Sequence, residues 1–297
     1  MSFSLGSTMR ILEPHSGVIA FYDGRIPGVR AYSDAPNWLD DGAFSLGCAS
    51  YAIVDGTDAL IYDTHISTAH AALIRAELER RGVRRLRVVL SHWHKDHIAG
   101  NAVFSDCEII ANELTLQALL HNRAAIEAAN PPINPVVLPT TTFSQRMTLT
   151  IGTLTAELHQ LDVHSFDGTV ILVPQRDLLL AGDTLEDPVT YVAEPTRLAC
   201  HLRALERLDG WSFSKILPNH GSMERIAAGG YDRQMIAATA RYIERLLSLK
   251  EFPELAKLPL KSFAASSFDS KGVDYFAPYE NVHRSNVRSM LEVFGKD

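Results

Sequence analysis

The chain has 297 residues, of which 46% are apolar and 21% charged, and its formal net charge is −7. This composition is that of a soluble globular protein with material for a packed core, in one large domain or two small ones. It offers no basic footprint for nucleic acid, no run of about 18 apolar residues to span a membrane, and only three scattered cysteines, Cys48, Cys107 and Cys200, which make no disulfide framework.

Residues 1 to about 46 are rich in Gly, Pro and Asp, with short apolar runs such as Val18–Tyr22, and read as irregular structure or edge strands. They carry no basic-then-apolar leader pattern, so a cytoplasmic location is expected. From Cys48 the signals sharpen. Tyr51–Val54 and Ala59–Tyr62 flank the turn residues Asp55-Gly56-Thr57-Asp58, as two paired strands would. Ile66, Ala69, Leu73 and Ala76 recur at helical spacing, and Gly82 follows as a stop. Val88–Leu90 is a buried strand, Glu108–Ile110 another, and a helix follows near Glu113–Leu120.

The second half repeats the style after a loop at Asn130–Pro135. Strands are expected at Leu154–Leu161, Gly168–Val173, Leu178–Ala181 and Lys215–Leu217. The stripes Leu198, Leu202, Leu205, Leu208 and Ile236, Ala240, Ile243, Leu247 mark helices with apolar core faces. Beyond Lys250 the chain turns irregular and ends in a helix, Glu280–Phe294. Residues 1–250 are read as one domain with its core at 48–250, and 251–297 as a C-terminal extension packed on it.

The most informative run is Ser91-His92-Trp93-His94-Lys95-Asp96-His97, directly after a strand. Side chains two apart on extended backbone share a side, so His92 and His94 can grip one ion. The turn into a helix aims Asp96 and His97 elsewhere, toward a second. Three later residues, His164, Asp183 and His220, each follow apolar strand sequence. Ends of strands are where sheet scaffolds commonly carry binding groups.

With these residues in view, the chain resembles the metallo-β-lactamase superfamily of hydrolases over about residues 48–250. The resemblance rests on Ser91–His97, His164, Ala181-Gly182-Asp183, Asn219-His220-Gly221 and Asp63 after an early strand. It implies an α/β fold, a four-layer αββα sandwich with the site at one edge of the paired sheets. It implies that His92, His94 and His164 hold a first divalent ion, that Asp96, His97 and His220 hold a second, and that Asp183 bridges them. A carboxylate rather than a thiolate at Asp183 resembles the glyoxalase II and lactonase branch. Zinc is the first expectation, with manganese or iron as alternatives suited to the same donors.

The expected function is hydrolysis of a carboxylic ester, thioester or lactone by a hydroxide held between two ions. Asp96 is the candidate proton carrier and Tyr191 a candidate donor to the substrate oxyanion. Asp63 is the candidate support for the ligands, and His283 a candidate substrate contact from the extension. The partner is a small acyl compound, with neither nucleic acid nor membrane involved and a homodimer as the option for assembly. A β-lactam or other amide hydrolase is the nearer alternative. A phosphodiesterase or nuclease, which should carry a basic substrate arm, and an iron-dependent sulfur dioxygenase are alternatives of another class.

Overall fold

The structure is a computed structural model and describes residues 4–269 and 271–295. Two mixed sheets lie face to face. The first has seven strands in chain order: β1 (Arg10–His15), β2 (Val18–Asp23), β3 (Cys48–Asp55), β4 (Asp58–Tyr62), β5 (Arg85–Val89), β6 (Glu108–Asn112) and β7 (Thr141–Phe143). The strands β1 to β4 form an antiparallel meander, and β4 to β7 run parallel. The second sheet comprises β8 (Arg146–Ile151), β9 (Leu154–Gln160), β10 (Thr169–Val173), β11 (Leu178–Gly182) and β12 (Lys215–Pro218), in the order β12-β11-β10-β9-β8. Only its β11–β12 pair is parallel.

Alternation along the strands divides the core. In β3, Tyr51 and Ile53 face the second sheet, while Ala52 faces the outer helices. On that outer side pack α1 (Thr68–Arg80), the short α2 (Lys95–Ile98) and α3 (Glu113–Glu127). The second sheet is covered by α4 (Leu198–Asp209) and α6 (Gln234–Leu247), with α5 (Met223–Ala227) between them in sequence. The chain then forms α7 (Leu260–Phe263), α8 (Ala265–Asp269) and α9 (Tyr279–Phe294). Leu260, Phe263, Tyr279 and Met290 of this last stretch lie in the same buried cluster as Ile243 and Leu246 of α6. The arrangement is the expected αββα sandwich. Among the described residues, no helix is long and apolar enough to cross a membrane.

Two sequence expectations are corrected here. Val18–Tyr22 is neither irregular nor an edge: β2 lies between β1 and β3, and these five residues are buried. An uninterrupted apolar run suits a strand covered on both faces. The stripe chosen for α1 had the wrong phase. Ser67 caps the helix by accepting the His70 N–H, so Ile66 lies outside it. The buried face is Ala71, Ile74 and Leu78, and Leu73 is exposed.

Candidate metal centre

The C-terminal ends of the parallel strands meet at one rim of the sandwich. Asp63 follows β4, the 91–97 turn follows β5, Asp183 follows β11 and His220 follows β12. His164 enters from the loop between β9 and β10. The sheets approach closely here. Tyr62 donates its hydroxyl to the Thr169 carbonyl, and Thr169 N–H bonds the Ser91 carbonyl at 2.7 Å. Gly182, in the left-handed region at φ +56°, sits so close that a Cβ would lie 2.7 Å from the Tyr62 hydroxyl. That close approach brings Asp183 to the rim of the first sheet.

All seven sequence-selected donors converge. His92 Nε2 is 2.9 Å and His164 Nε2 is 3.0 Å from His94 Nδ1. Beside them, His97 Nε2 lies 3.1 Å from Asp183 Oδ2, and His220 Nε2 lies 3.2 Å from Asp96 Oδ2. His92, His94 and His164 form one group that could hold an ion, and Asp96, His97, Asp183 and His220 another. Ligand atoms of a tetrahedral zinc site, each about 2.0–2.1 Å from the ion, stand roughly 3.3 Å apart, so the spacing fits. Asp183 Oδ2 is also 3.6 Å from His92 Nε2 and 3.5 Å from His164 Nε2, which places it between the groups. Asp183 Oδ1 is buried without a hydrogen-bond partner among the described residues. A buried carboxylate oxygen left bare is costly unless a cation meets it.

The electrostatics are those of a site short of positive charge. Burial would raise Asp183 and Asp96, yet His97 and His220 overcome it and hold both carboxyls well below their ordinary range. Conversely, burial would lower His97 and His220, but the pull of Asp183 and Asp96 lifts both well above the ordinary imidazole range. His92 and His94 go the other way. Burial and neighbouring imidazoles push His92 well down and His94 to about 3. Ionised carboxylates and neutral imidazoles are the forms that bind metals, and binding displaces protons from such sites.

Three of the donors, His97, His164 and His220, are held from behind, and the 91–97 turn is tied down at its backbone. Asp63, fully buried, accepts Ser91 N–H and Ser91 Oγ–H at 2.6 Å and faces His97 Nδ1 at 2.9 Å. Asp167 accepts the Trp93 N–H at 3.0 Å. The Gly47 carbonyl meets His220 Nδ1 at 2.5 Å. His164 Nδ1 lies 3.1 Å from Glu186 Oε1, a buried carboxylate that sequence reasoning missed. Its only signal was position, three residues beyond Asp183.

Five of these donors, His94, Asp96, His164, Asp183 and His220, line a cavity of about 540 Å³ walled by Trp38, Trp93, Leu46, Tyr191 and Val282, with Lys95 the one lysine or arginine lining it among the described residues. Tyr191 stands at the rim, 40% exposed, its ring centroid 6.3 Å from that of His164. The extension does reach the cavity, through Asn281, Val282 and Ser285. His283 does not reach it. It is buried on the other side of α9 against Phe263, with Nδ1 3.1 Å from the Tyr242 hydroxyl. A larger cleft of about 700 Å³ opens at the opposite strand ends, where Arg75 and Arg85 are already paired with Asp106 and Asp58.

Comparison with known proteins agrees with this geometry. The family model of the Metallo-beta-lactamase superfamily matches residues 45–224. Among solved structures, a metallo-β-lactamase from Pontibacter korlensis superposes with a TM-score of 0.61 at 17% identity, covering 80% of this chain and 99% of that one. The DIM-1 metallo-β-lactamase gives 0.58 at 18% identity over 80% and 97% of the two chains. TMB-1 gives 0.60 at 16% identity over 80% and 97%. No curated protein matches the sequence. With the fold, the donor set and the family match in agreement, this chain belongs to the metallo-β-lactamase superfamily.

Proposed function

We propose that this chain is a binuclear metallohydrolase, with zinc the preferred ion, that cleaves a carboxylic ester, thioester or lactone. One observation carries the reading: seven metal-competent side chains from four separate loops converge, and five of them line an apolar-walled cavity. Small-molecule sites are typically concave, mostly apolar and furnished with a few convergent polar groups. Divalent ions bound there would supply Lewis acidity toward a substrate carbonyl and make water acidic near neutral pH.

The chain's own residues set the rest. Asp63, Asp167, Glu186 and the Gly47 carbonyl fix the donors before any substrate arrives, which is how preorganised sites avoid reorganisation during reaction. Asp96 is the cluster's most open carboxylate, with its side chain 19% exposed against 3% for Asp183. It is therefore the residue to hold a proton and pass it to the leaving group. Tyr191 can offer its hydroxyl to the carbonyl oxygen from the rim. Trp38, Trp93 and Val282 give an acyl group an apolar wall.

The preference for ester-type substrates rests on Asp183 being a carboxylate, in keeping with the resemblance to lactonases and glyoxalase II. The test is a panel of lactones, thioesters, esters, β-lactams and bis(p-nitrophenyl) phosphate, offered to zinc- and manganese-loaded protein. Turnover of an ester, thioester or lactone is expected. Turnover of β-lactams alone, of the phosphodiester alone, or of nothing overturns the reading.

A further inference from the structure

The donor His220 is bracketed by two segments that are remote in sequence. On one side the Gly47 carbonyl meets its Nδ1 at 2.5 Å. On the other, the Asp187 N–H donates to the His220 carbonyl at 3.1 Å. One side chain ties these segments together. Arg25 donates from Nε to the Leu46 carbonyl at 2.6 Å and from Nη2 to the Asp187 carbonyl at 2.5 Å. Its guanidinium lies over Phe276, with Cζ 4.2 Å from the ring centroid.

The surroundings leave little slack. Arg25 N–H bonds the Phe44 carbonyl at 3.0 Å, so the loop before Gly47 is held by backbone as well as side chain. Gly47 itself has φ +81°, and a Cβ there would lie 2.2 Å from the Tyr22 hydroxyl. That hydroxyl donates to the Gly221 carbonyl at 2.9 Å, next to His220. Arg25 and Phe276 both fall outside residues 45–224, the stretch shared with the family. The flanks of this chain thus reach inward to clamp one donor.

We propose that Arg25 is a positioning residue for His220, joining the Leu46–Gly47 and Asp187 segments so that Nε2 is presented to the second ion. The proposal rests on the two-ion reading above. A planar guanidinium spans two carbonyls with a fixed fork, whereas a lysine ammonium is a point donor on a flexible stem. Loss of the clamp should therefore weaken the second site more than the first, whose donors meet these segments only through the His164 Nδ1 contact to Glu186 Oε1 at 3.1 Å in the interactions described above.

The test measures bound metal, not turnover. Full-length wild type, Arg25→Met, Arg25→Lys and Arg10→Met are titrated with Co(II), and stoichiometry and visible absorption are followed. Arg10 is the control. It bonds the Gly24 carbonyl at 2.7 Å and lies with Cζ 5.1 Å from the Tyr22 ring centroid, but among the described residues it makes no hydrogen bond to Leu46, Gly47 or Asp187. Wild type and Arg10→Met should bind two ions alike. Arg25→Met should bind the second ion about 10–100-fold more weakly, the usual loss when support behind a metal ligand is removed, with a smaller loss at the first. Arg25→Lys should fall between them, and it carries the test if Arg25→Met does not fold. Equal second-ion affinity in wild type and the Arg25 variants overturns the proposal, as does an equal loss in Arg10→Met. Fewer than two ions in wild type overturns the two-ion reading itself.

Discussion

Asp63 Oδ2 faces His97 Nδ1 at 2.9 Å and accepts the Asn219 side-chain amide at 2.5 Å, linking the turn after β5 to the segment carrying His220. His97 is thereby oriented with Nε2 toward Asp183. Asp63 adopts φ +65°, a left-handed conformation that aspartate and asparagine tolerate better than other side-chain residues. Asp63→Asn keeps the shape and the backbone preference but removes the charge and one acceptor oxygen. Affinity for the ion at His97 should fall about 10–100-fold, read by competition with a chromophoric chelator. Unchanged affinity would show that Asp63 serves only the turn.

Asp183 is the next test. Its Oδ2 lies between 3.1 and 3.6 Å from His97, His220, His164 and His92. Removing that oxygen deprives both donor groups at once and leaves Asp96, beside His97 and His220, as the one carboxylate donor of the seven. Asp183→Ala should lose metal and activity together, with an affinity loss beyond the about 10–100-fold of a supporting residue. Metal content by emission spectroscopy after dialysis decides it. Two tightly bound ions in the variant would refute the bridging role.

How much of this was legible in the sequence follows from how local each signal is. The 91–97 run needs only one turn of chain to form, so its residues declare their chemistry directly. His164, Asp183 and His220 were readable because each follows an apolar strand, and strands end at a common rim. Glu186 was not readable: a lone glutamate in a loop gains meaning only when burial sets it 3.1 Å from His164. His283 failed for a geometric reason. Asn281, Val282 and Ser285 face the cavity, and at 3.6 residues per turn position 283 points about 150° away from the middle of that face. The N-terminal hairpin was misjudged because its Gly, Pro and Asp content masked six consecutive buried residues, Val18–Asp23.

Tyr191 offers a test that separates substrate binding from chemistry. Its backbone N–H is fixed by Glu186 Oε1 at 2.8 Å, which holds this part of the loop in place, and the residue lines the cavity. If the hydroxyl donates to the carbonyl oxygen as charge develops, Tyr191→Phe should lower kcat on the order of tenfold, about 1.4 kcal/mol, with little change in KM. A rise in KM at constant kcat would instead make Tyr191 part of the binding wall.

His201 connects pH to stability. It is buried in α4, with neither ring nitrogen hydrogen-bonded among the described residues and Asp162 Oδ1 3.6 Å from Nε2. Burial, only partly offset by Asp162, lowers its pKa to about 4. In the unfolded chain an imidazole titrates near 6.5, so between these values the unfolded state binds a proton that the folded state refuses. This contribution to stability is therefore full above about pH 6.5, falls as pH drops toward 4, and levels off below. The total is on the order of 3 kcal/mol, at about 1.4 kcal/mol for each pKa unit. His201→Leu removes the titrating group, and urea unfolding of metal-free wild type and variant between pH 4 and 7 isolates its share. The variant should gain on wild type steadily as pH falls through that window. Parallel stability curves would mean that the folded protein accepts a proton at His201 as readily as the unfolded chain does.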